Sequence, residues 1–518
     1  MSRFDAIVIG GGINGLSAAS VLARRGKSVC LLEQSETLGG MAAPGPDGAP
    51  RCAHLLYNLS PVVRADIGLG KGGWPFRTTP LPTVALAPDG AHVVLHAGEA
   101  TLTDGSAHPD ADAYRTLHDR LVKYGALLRQ LAENAPPGFD APLASRGALR
   151  QLTRLGWLGL GIKRMGRDEM RNFLRVLLSN AFDTILDEMP DGPMAGLLAT
   201  DAVRGAAMGP RAPGTVFSLI YRMGHGGEAT LPMGGMTALC GAFAGAARGA
   251  GCRIETGVSV SRLLIENGAV TGVETSDGRC LTAPLVLTST GAEATCRLAG
   301  SQHFDIEAAR RMRNVRARGT AAKVNLRLGG LPAISGLPDS LTGARMVVAP
   351  SAAYVERAFN PSKYREMSSA PVIEAIIPSV TDPTLAPDGG HLLSAIVQYA
   401  PCDLQGGWTE TAKKALAKTA IDTLAAYMPD LPGQITATEV LTPADIEAET
   451  GAPGGHWHHA EMSLDQLLTL RPASGLGRYA LGPDGLYLCG ASAHPGGDIM
   501  GLAGRNAALV ALAAEGRK

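Results

Sequence analysis

The stretch FDAIVIGGGINGLSAASVLARRGKSVCLLE, residues 4–33, decides the fold. Its first six residues end in an apolar run suited to a strand buried on both faces. Gly10, Gly12 and Gly15 follow at G-x-G-x-x-G spacing, with Ile13 and Asn14 between the last two. A helix of small and apolar residues runs from Leu16 and stops at Gly26. Ser28 to Leu32 forms a second short strand, and Glu33 stands at its end. Each part has a physical task. Gly10 permits the tight strand-to-helix turn, Gly12 lets backbone approach a pyrophosphate, and Gly15 lets helix and strand pack closely. The helix N-terminus offers N–H groups and a positive dipole to the phosphates. An acid at the position of Glu33 accepts hydrogen bonds from ribose hydroxyls. A lone G-x-G-x-x-G is a weak signal, but strand, glycines, helix, strand and acid in this order predict a dinucleotide-binding βαβ unit.

The chain contains its own control. Gly68, Gly70 and Gly73 repeat the same spacing. No clean strand precedes them, and Pro75 and Pro80 break the segment where a helix would have to start, so this match reads as a loop. A second nucleotide fold is not expected there. Further on, Gly39 and Gly40 follow the ribose acid, with Met41 next. This pair lets the chain wrap a second time around a pyrophosphate. It resembles the element after the ribose acid in glutathione-reductase-like and amine-oxidase-like flavoproteins, which favours FAD over NAD.

Composition excludes other classes. Lys plus Arg and Asp plus Glu both number 47, so no basic face points to nucleic acid. A chain of 518 residues, 45% hydrophobic, buries large cores without metal or disulfide staples. Its eight cysteines form no C-x-x-C pair, which points to a reducing, cytoplasmic setting. The uncharged runs Ala6–Ala23 and Ala229–Ala247 are broken by fixed-offset glycines, and the second also by Pro232, so neither reads as a transmembrane helix. Residues 146–175 carry Arg146, Arg150, Arg154, Lys163, Arg164, Arg167, Arg171 and Arg175 among Leu152, Leu155, Trp157, Leu158 and Ile162. That pattern reads as a solvated helix face or as a peripheral contact with anionic lipid.

Helices are expected at 110–132, within 146–187, at 237–250 and at 409–428. Strands are expected at 251–255, 258–265, 270–275, 283–288, 321–328, 371–377, 391–399 and 485–490. Thr442, Pro443 and Asp445 form a helix start, as cap, first-turn proline and first-turn acid. Asp498 to Ala514 reads as a last helix leaving a glycine loop. His456, His458 and His459 sit in a loop without ligand-spaced carboxylates and are read as structure rather than as a metal site. No Ser/His/Asp or Cys/His arrangement is legible, and no catalytic residue is assigned.

Three blocks resemble one family. Residues 378–387 (PSVTDPTLAP) with His391 and QYAP at 398–401 form the first. GGHWHHAEMSLDQL at 454–467 with Arg471 and Pro472 forms the second, and LCGASAHPGG at 488–497 the third. With the N-terminal fingerprint they resemble the FAD-dependent amine oxidase and phytoene desaturase superfamily. The nearer likeness is its phytoene-dehydrogenase-related branch, named for pyridine nucleotide-disulfide oxidoreductase domains. The branch name does not suit a disulfide reductase reading here, since no cysteine pair exists.

The resemblance implies an α/β fold: a Rossmann-like FAD-binding domain of amine-oxidase type and a discontinuous second α+β substrate domain. Residues 1–74, 228–300 and 476–518 would form the first, and 75–227 and 301–475 the second. It implies that Val260 faces adenine and that Gly490, Ile499 and Met500 lie at the flavin. Together with Gly10, Gly12, Ile13, Asn14, Gly15, Glu33, Gly39, Gly40 and Met41 these complete the expected FAD site. His54, Gln398, Tyr399 and His494 are candidates for substrate contact. The implied chemistry is hydride removal from a C–H bond of an apolar isoprenoid or polyene, with oxygen or a quinone as electron acceptor. A flavin amine oxidase is the enzymatic rival, and a non-catalytic binding protein on the same fold the rival from another class. The oligomeric state stays open. Two departures stand out: Met41 replaces a frequent arginine, and Asp498 replaces a frequent glycine. An acid at 498 is in position to cap the last helix.

Overall fold

A computed structural model describes residues 2–45, 48–71, 73–137, 156, 159–161, 163–386 and 389–516. Its first sheet grows from the N-terminal fingerprint. Strands Ala6–Ile9 and Val29–Leu32 are parallel and fully buried, as their unbroken apolar sequences require. Val286–Thr288 and Leu486–Leu488 extend the sheet on one side, and Arg253–Glu255 on the other. Three distant parts of the chain therefore build one five-stranded parallel layer. A four-stranded sheet of Ser2–Arg3, Cys280–Thr282, Ala269–Thr275 and Val260–Glu266 lies beside it in the chain order.

Helix Ile13–Arg24 starts at Gly12 without a side-chain cap, so its first N–H groups stay open to a ligand. It packs against Leu502–Glu515 and Gly235–Gly249. The contact with the C-terminal helix is backbone-close: a Cβ on Gly504 would stand 1.8 Å from the Asn14 carbonyl oxygen.

The second layer is an eight-stranded sheet ordered Ile435–Leu441, Ala321–Leu328, His391–Gln398, Val372–Ile376, Arg345–Val348, Thr83–Leu86, Val93–His96 and Glu99–Leu102. All its pairs are antiparallel except Arg345–Val348 with Thr83–Leu86. Helix Glu410–Ala425 buries Leu416, Ala420 and Leu424 in the same core as Val324, Leu393 and Ala395. Helix Pro193–Val203 is buried from Met194 onward and packs on Ala352–Phe359, Thr215–Arg222 and the Thr83–Leu86 strand.

Most expected elements appear within a few residues of their predicted ends. The start at Thr442 is a full capping box, with reciprocal bonds between Thr442 and Asp445. The last helix differs. It begins at Leu502 with Gly501 as its cap, because Asp498 and Ile499 hold left-handed backbone at φ 77° and 56°. Asp498 therefore does not cap it. Gly68 and Gly70 follow a helix, Pro61–Ile67, not a strand. Four strands between 78 and 102, the strand Arg345–Val348 and helices Pro193–Val203 and Thr215–Arg222 have no counterpart among the expected elements. Most of the basic segment before Lys163 lies outside the described residues. Helix Arg167–Leu178 buries Phe173 and Val176 and exposes Leu174 and Leu178. No helix among the described residues is long and apolar enough to cross a membrane.

Gly504→Ala is expected to lower unfolding stability by about 1–3 kcal/mol, since neither backbone can give way easily. Urea melts check this, and an unchanged midpoint would show that the two helices separate at no cost.

Candidate functional site

The loops at the carboxyl ends of the parallel strands enclose a cavity of about 370 Å³. Ligands of open parallel sheets bind at this edge. Gly10, Gly12, Ile13, Asn14, Glu33, Gly39, Gly40, Met41, Val260, Gly490 and Ile499 all line it. Gly15 does not, since it packs where a Cβ would meet the Gly10 carbonyl at 1.9 Å. Met500 also lies outside the lining, buried with its sulfur 2.9 Å from the Tyr221 hydroxyl.

One end of the cavity follows from the first βαβ unit. The Glu33 carboxylate accepts from Gly11 N–H at 2.5 Å and from Ser35 N–H at 2.8 Å, which fixes its plane. Gly39 donates its N–H to the Gly11 carbonyl at 2.9 Å, so the glycine pair runs beside the G-x-G turn. A Cβ on Gly12 would meet no protein atom nearer than 3.9 Å. The Asn14 Oδ1 is buried without a hydrogen-bond partner. Buried polar atoms are rarely left so, and this one borders the cavity. Open space over Gly12, an uncapped helix start and an orphan acceptor fit a ligand with phosphates and hydroxyls.

The other end is bordered by Leu55, Arg204, Ile396, Trp457, His459 and Asp498. Arg204 ends the buried helix Pro193–Val203. Its Nε and Nη2 donate to the two Glu374 oxygens at 3.1 and 3.0 Å. The Tyr57 and Trp457 rings flank its guanidinium, with centroids at 4.8 and 5.0 Å. Gly205 makes this stack fit, for a Cβ there would stand 2.0 Å from the Trp457 ring. Behind Arg204 lies a buried ionic cluster. Arg345 bonds both Glu374, at 2.7 Å, and Asp201, at 2.5 Å. Arg222 approaches Asp201 at 3.2 Å. The Arg204 and Arg345 guanidinium groups, with the His54 hydrogen bond, overcome the burial that would otherwise raise Glu374, and hold it well below the usual carboxylate range. Burial moves Asp498 the other way, upward, despite the nearby Arg204; its Oδ2 accepts from Asn58 Nδ2 at 2.7 Å.

The four residues put forward for substrate contact do not line the cavity. His54 lies in the ionic cluster, 2.8 Å from Glu374 and 2.9 Å from the Lys323 ammonium. Burial brings that lysine down to about 7. Gln398 braces the turn after Val203, donating to its carbonyl at 2.6 Å and accepting from Gly205 N–H at 2.8 Å. Tyr399 donates to the Met208 carbonyl at 3.1 Å, and His494 Nε2 lies 3.0 Å from the Leu131 carbonyl. All four bind chain segments far away in sequence, which a single sequence does not disclose. Sequence reasoning missed Arg204 and Trp457 at the cavity end, and Asn58, which holds Asp498. The GGHWHH motif was the one available signal for Trp457. The three histidines of that motif form no metal-binding group among the described residues. Cys52 is the one cysteine lining the cavity, so no thiol pair faces it among the described residues.

Burial pushes His54 and His456 down to about 3 and His494 down to about 4. These rings stay neutral in the fold, while unfolded chains protonate near 6.5. The unfolded state thus binds more protons below that value, and stability falls as pH drops. Asp498, raised by burial, opposes this as a single group. Urea unfolding at pH 7 and pH 5 should show a loss of up to about 1.4 kcal/mol per pH unit below 6.5 for each histidine. Equal stability at both values would contradict the buried neutral rings.

Comparison with known proteins gives the family of the chain. A family model for an NAD(P)-binding Rossmann-like domain matches residues 8–62. Pyridine nucleotide-disulfide oxidoreductase domain-containing protein 2 of Mus musculus is 31% identical over 98% of this chain and 93% of its own. Phytoene dehydrogenase of Streptomyces griseus is 26% identical over 86% of this chain and 84% of its own. Among solved structures, cyclohexylamine oxidase from Brevibacterium oxydans superposes with a TM-score of 0.55 at 16% identity, covering 99% of both chains. The chain belongs to the pyridine nucleotide-disulfide oxidoreductase domain-containing protein 2 family, oxidoreductases of the FAD-dependent amine oxidase and phytoene desaturase superfamily.

Proposed function

We propose that the cavity seats FAD and that the enzyme removes two hydrogens from a C–H-bearing apolar substrate. The observation that carries the cofactor reading is the free space over Gly12, bordered by the orphan Asn14 Oδ1 and the oriented Glu33 carboxylate. In this reading the N–H groups at the start of helix Ile13–Arg24 hold the pyrophosphate and Glu33 the ribose. Met41 and the Gly39–Gly40 turn cover the pyrophosphate, and Val260 borders the adenine. Gly490 and Ile499 sit by the ring system. Gly15 and Met500 act from behind, by packing. We further assign 1–74, 228–300 and 476–518 to the cofactor domain and 75–227 and 301–475 to the substrate domain. Membership of the two large sheets supports that division.

When bound, FAD supplies a two-electron acceptor for hydride, and oxygen or a quinone then takes the electrons. The chain's own part is to orient the substrate and exclude water. Leu55, Ile396 and the Trp457 ring provide apolar wall for a hydrocarbon chain. An amine substrate is less well served. Trp457 is the sole Phe, Tyr or Trp ring lining the cavity among the described residues, so no aromatic cage is formed. The Arg204 guanidinium would also repel an ammonium. Asp498 alone favours an amine, but burial raises it toward the neutral acid.

Gly12→Val should leave the fold intact and weaken FAD binding at least about tenfold, since its side chain points into ligand space. Circular dichroism and flavin retention on gel filtration read this together. Anaerobic mixing of the flavin-bound protein with a polyene and with an aliphatic amine tests the substrate class. Bleaching by the polyene alone fits the proposal, and bleaching by the amine alone contradicts it.

A further inference from the structure

The ionic cluster behind the cavity is not balanced by its own bonded partners. Asp201 and Glu374 are buried carboxylates shared among three guanidinium groups, those of Arg204, Arg222 and Arg345. Lys323, which burial brings down to about 7, bonds His54 and adds only part of a charge at neutral pH. Asp498, a third acid on this side, feels the Arg204 and Arg222 charges, but burial raises it toward the neutral acid and its hydrogen bond comes from Asn58. A positive charge left over in a low-dielectric interior is costly. Of these cations, Arg204 alone lines the cavity. Its Nε and Nη2 are taken by Glu374, and Nη1 makes no hydrogen bond among the described residues. The side chain is 16% exposed, and the Tyr57 and Trp457 rings restrain its plane. Glu374 and the two rings thus hold a guanidinium with one unsatisfied donor edge at an apolar cavity. An anionic end group would complete that donor set and offset the excess charge.

We propose that Arg204 anchors a carboxylate carried by the substrate, so that the oxidised C–H bond belongs to an apolar acid rather than to a neutral hydrocarbon or an amine. This deepens the C–H oxidation reading above and rests on it for the reaction, though not for the binding. Arg204 is here a specificity-determining residue, and Glu374 and Gly205 position it. Glu374 does so by a bidentate bond and Gly205 by making room for Trp457.

Calorimetric titration of the purified flavin-bound protein with decanoate, decanol and decylamine tests the anchor, because these probes share a chain and differ in the end group. Decanoate should bind at least about tenfold more tightly than decanol, as expected for a charge-assisted hydrogen bond in a partly dry site. Decylamine should bind more weakly than either. R204Q should abolish the preference for decanoate over decanol while retaining its flavin, and R204K should recover part of it. Equal affinities for decanoate and decanol in the wild type would overturn the proposal. So would a preference that survives in R204Q, or an R204Q protein that folds but sheds its flavin, which would place Arg204 in the cofactor seat. The binding readout does not need the cofactor. A colourless wild-type protein that still prefers decanoate would sink the flavin reading and keep the anchor. A yellow protein without the preference would do the reverse.

Discussion

One buried arginine ties together the loops that close the cavity. Among the described residues Arg471 has no carboxylate partner. Its guanidinium donates to the carbonyls of His458, Ala460, Glu461, Gln466, Ala491 and Ala493. A charged fork satisfied by carbonyl dipoles fixes every loop that contributes an acceptor. Two such loops meet here: 456–466, which carries Trp457 and His459, and 490–497, which leads into Asp498 and Ile499. Burial lowers Arg471 to about 10, so it remains charged at neutral pH. Without this clamp, the wall opposite the G-x-G turn would have no common anchor.

The second constraint is electrostatic and lies in the other sheet. Glu374, on a central strand of the eight-stranded sheet, gathers Arg204 from a helix, Arg345 from a neighbouring strand and His54 from a loop of the cofactor side. A buried carboxylate in such a position fixes orientation more than it adds stability, since desolvation consumes much of the Coulomb gain. Its consequence is geometric. The end of helix Pro193–Val203 is pinned against the cavity, and the Arg204 side chain is held at the wall between two aromatic rings. The cofactor end relies on backbone instead. Gly12, Gly39 and Gly40 let the chain itself form the surface, and Glu33 is oriented by two N–H groups.

That contrast explains which parts were legible in the sequence. The cofactor end is written in local spacing, because a turn, a helix start and an acid must follow one another within some thirty residues. Eleven of the residues that spacing and resemblance single out accordingly line the cavity, beside others such as Ser259, Ser289 and Thr290 that nothing in the local pattern marks. Strands such as Ala6–Ile9, Ala321–Leu328 and His391–Gln398 were also legible, whereas Thr83–Leu86 and Arg345–Val348 were not. The substrate end is assembled from contacts more than a hundred residues apart, such as Arg204 with Glu374 and Asn58 with Asp498. No periodicity marks such pairs. His54, Gln398, Tyr399 and His494 stood out as polar residues in apolar settings, and their polar atoms turn out to brace the fold. Asp498 marked a real peculiarity, but its left-handed backbone turns it into the cavity instead of onto the helix end.

FAD is proposed to fill the cavity between these two ends. The most direct measurement is to denature the purified protein and identify the released nucleotide by mass spectrometry, with its stoichiometry. The account predicts FAD at one per chain. Release of NAD or NADP instead, or a chain that carries no nucleotide and takes up none when FAD is added, would contradict it.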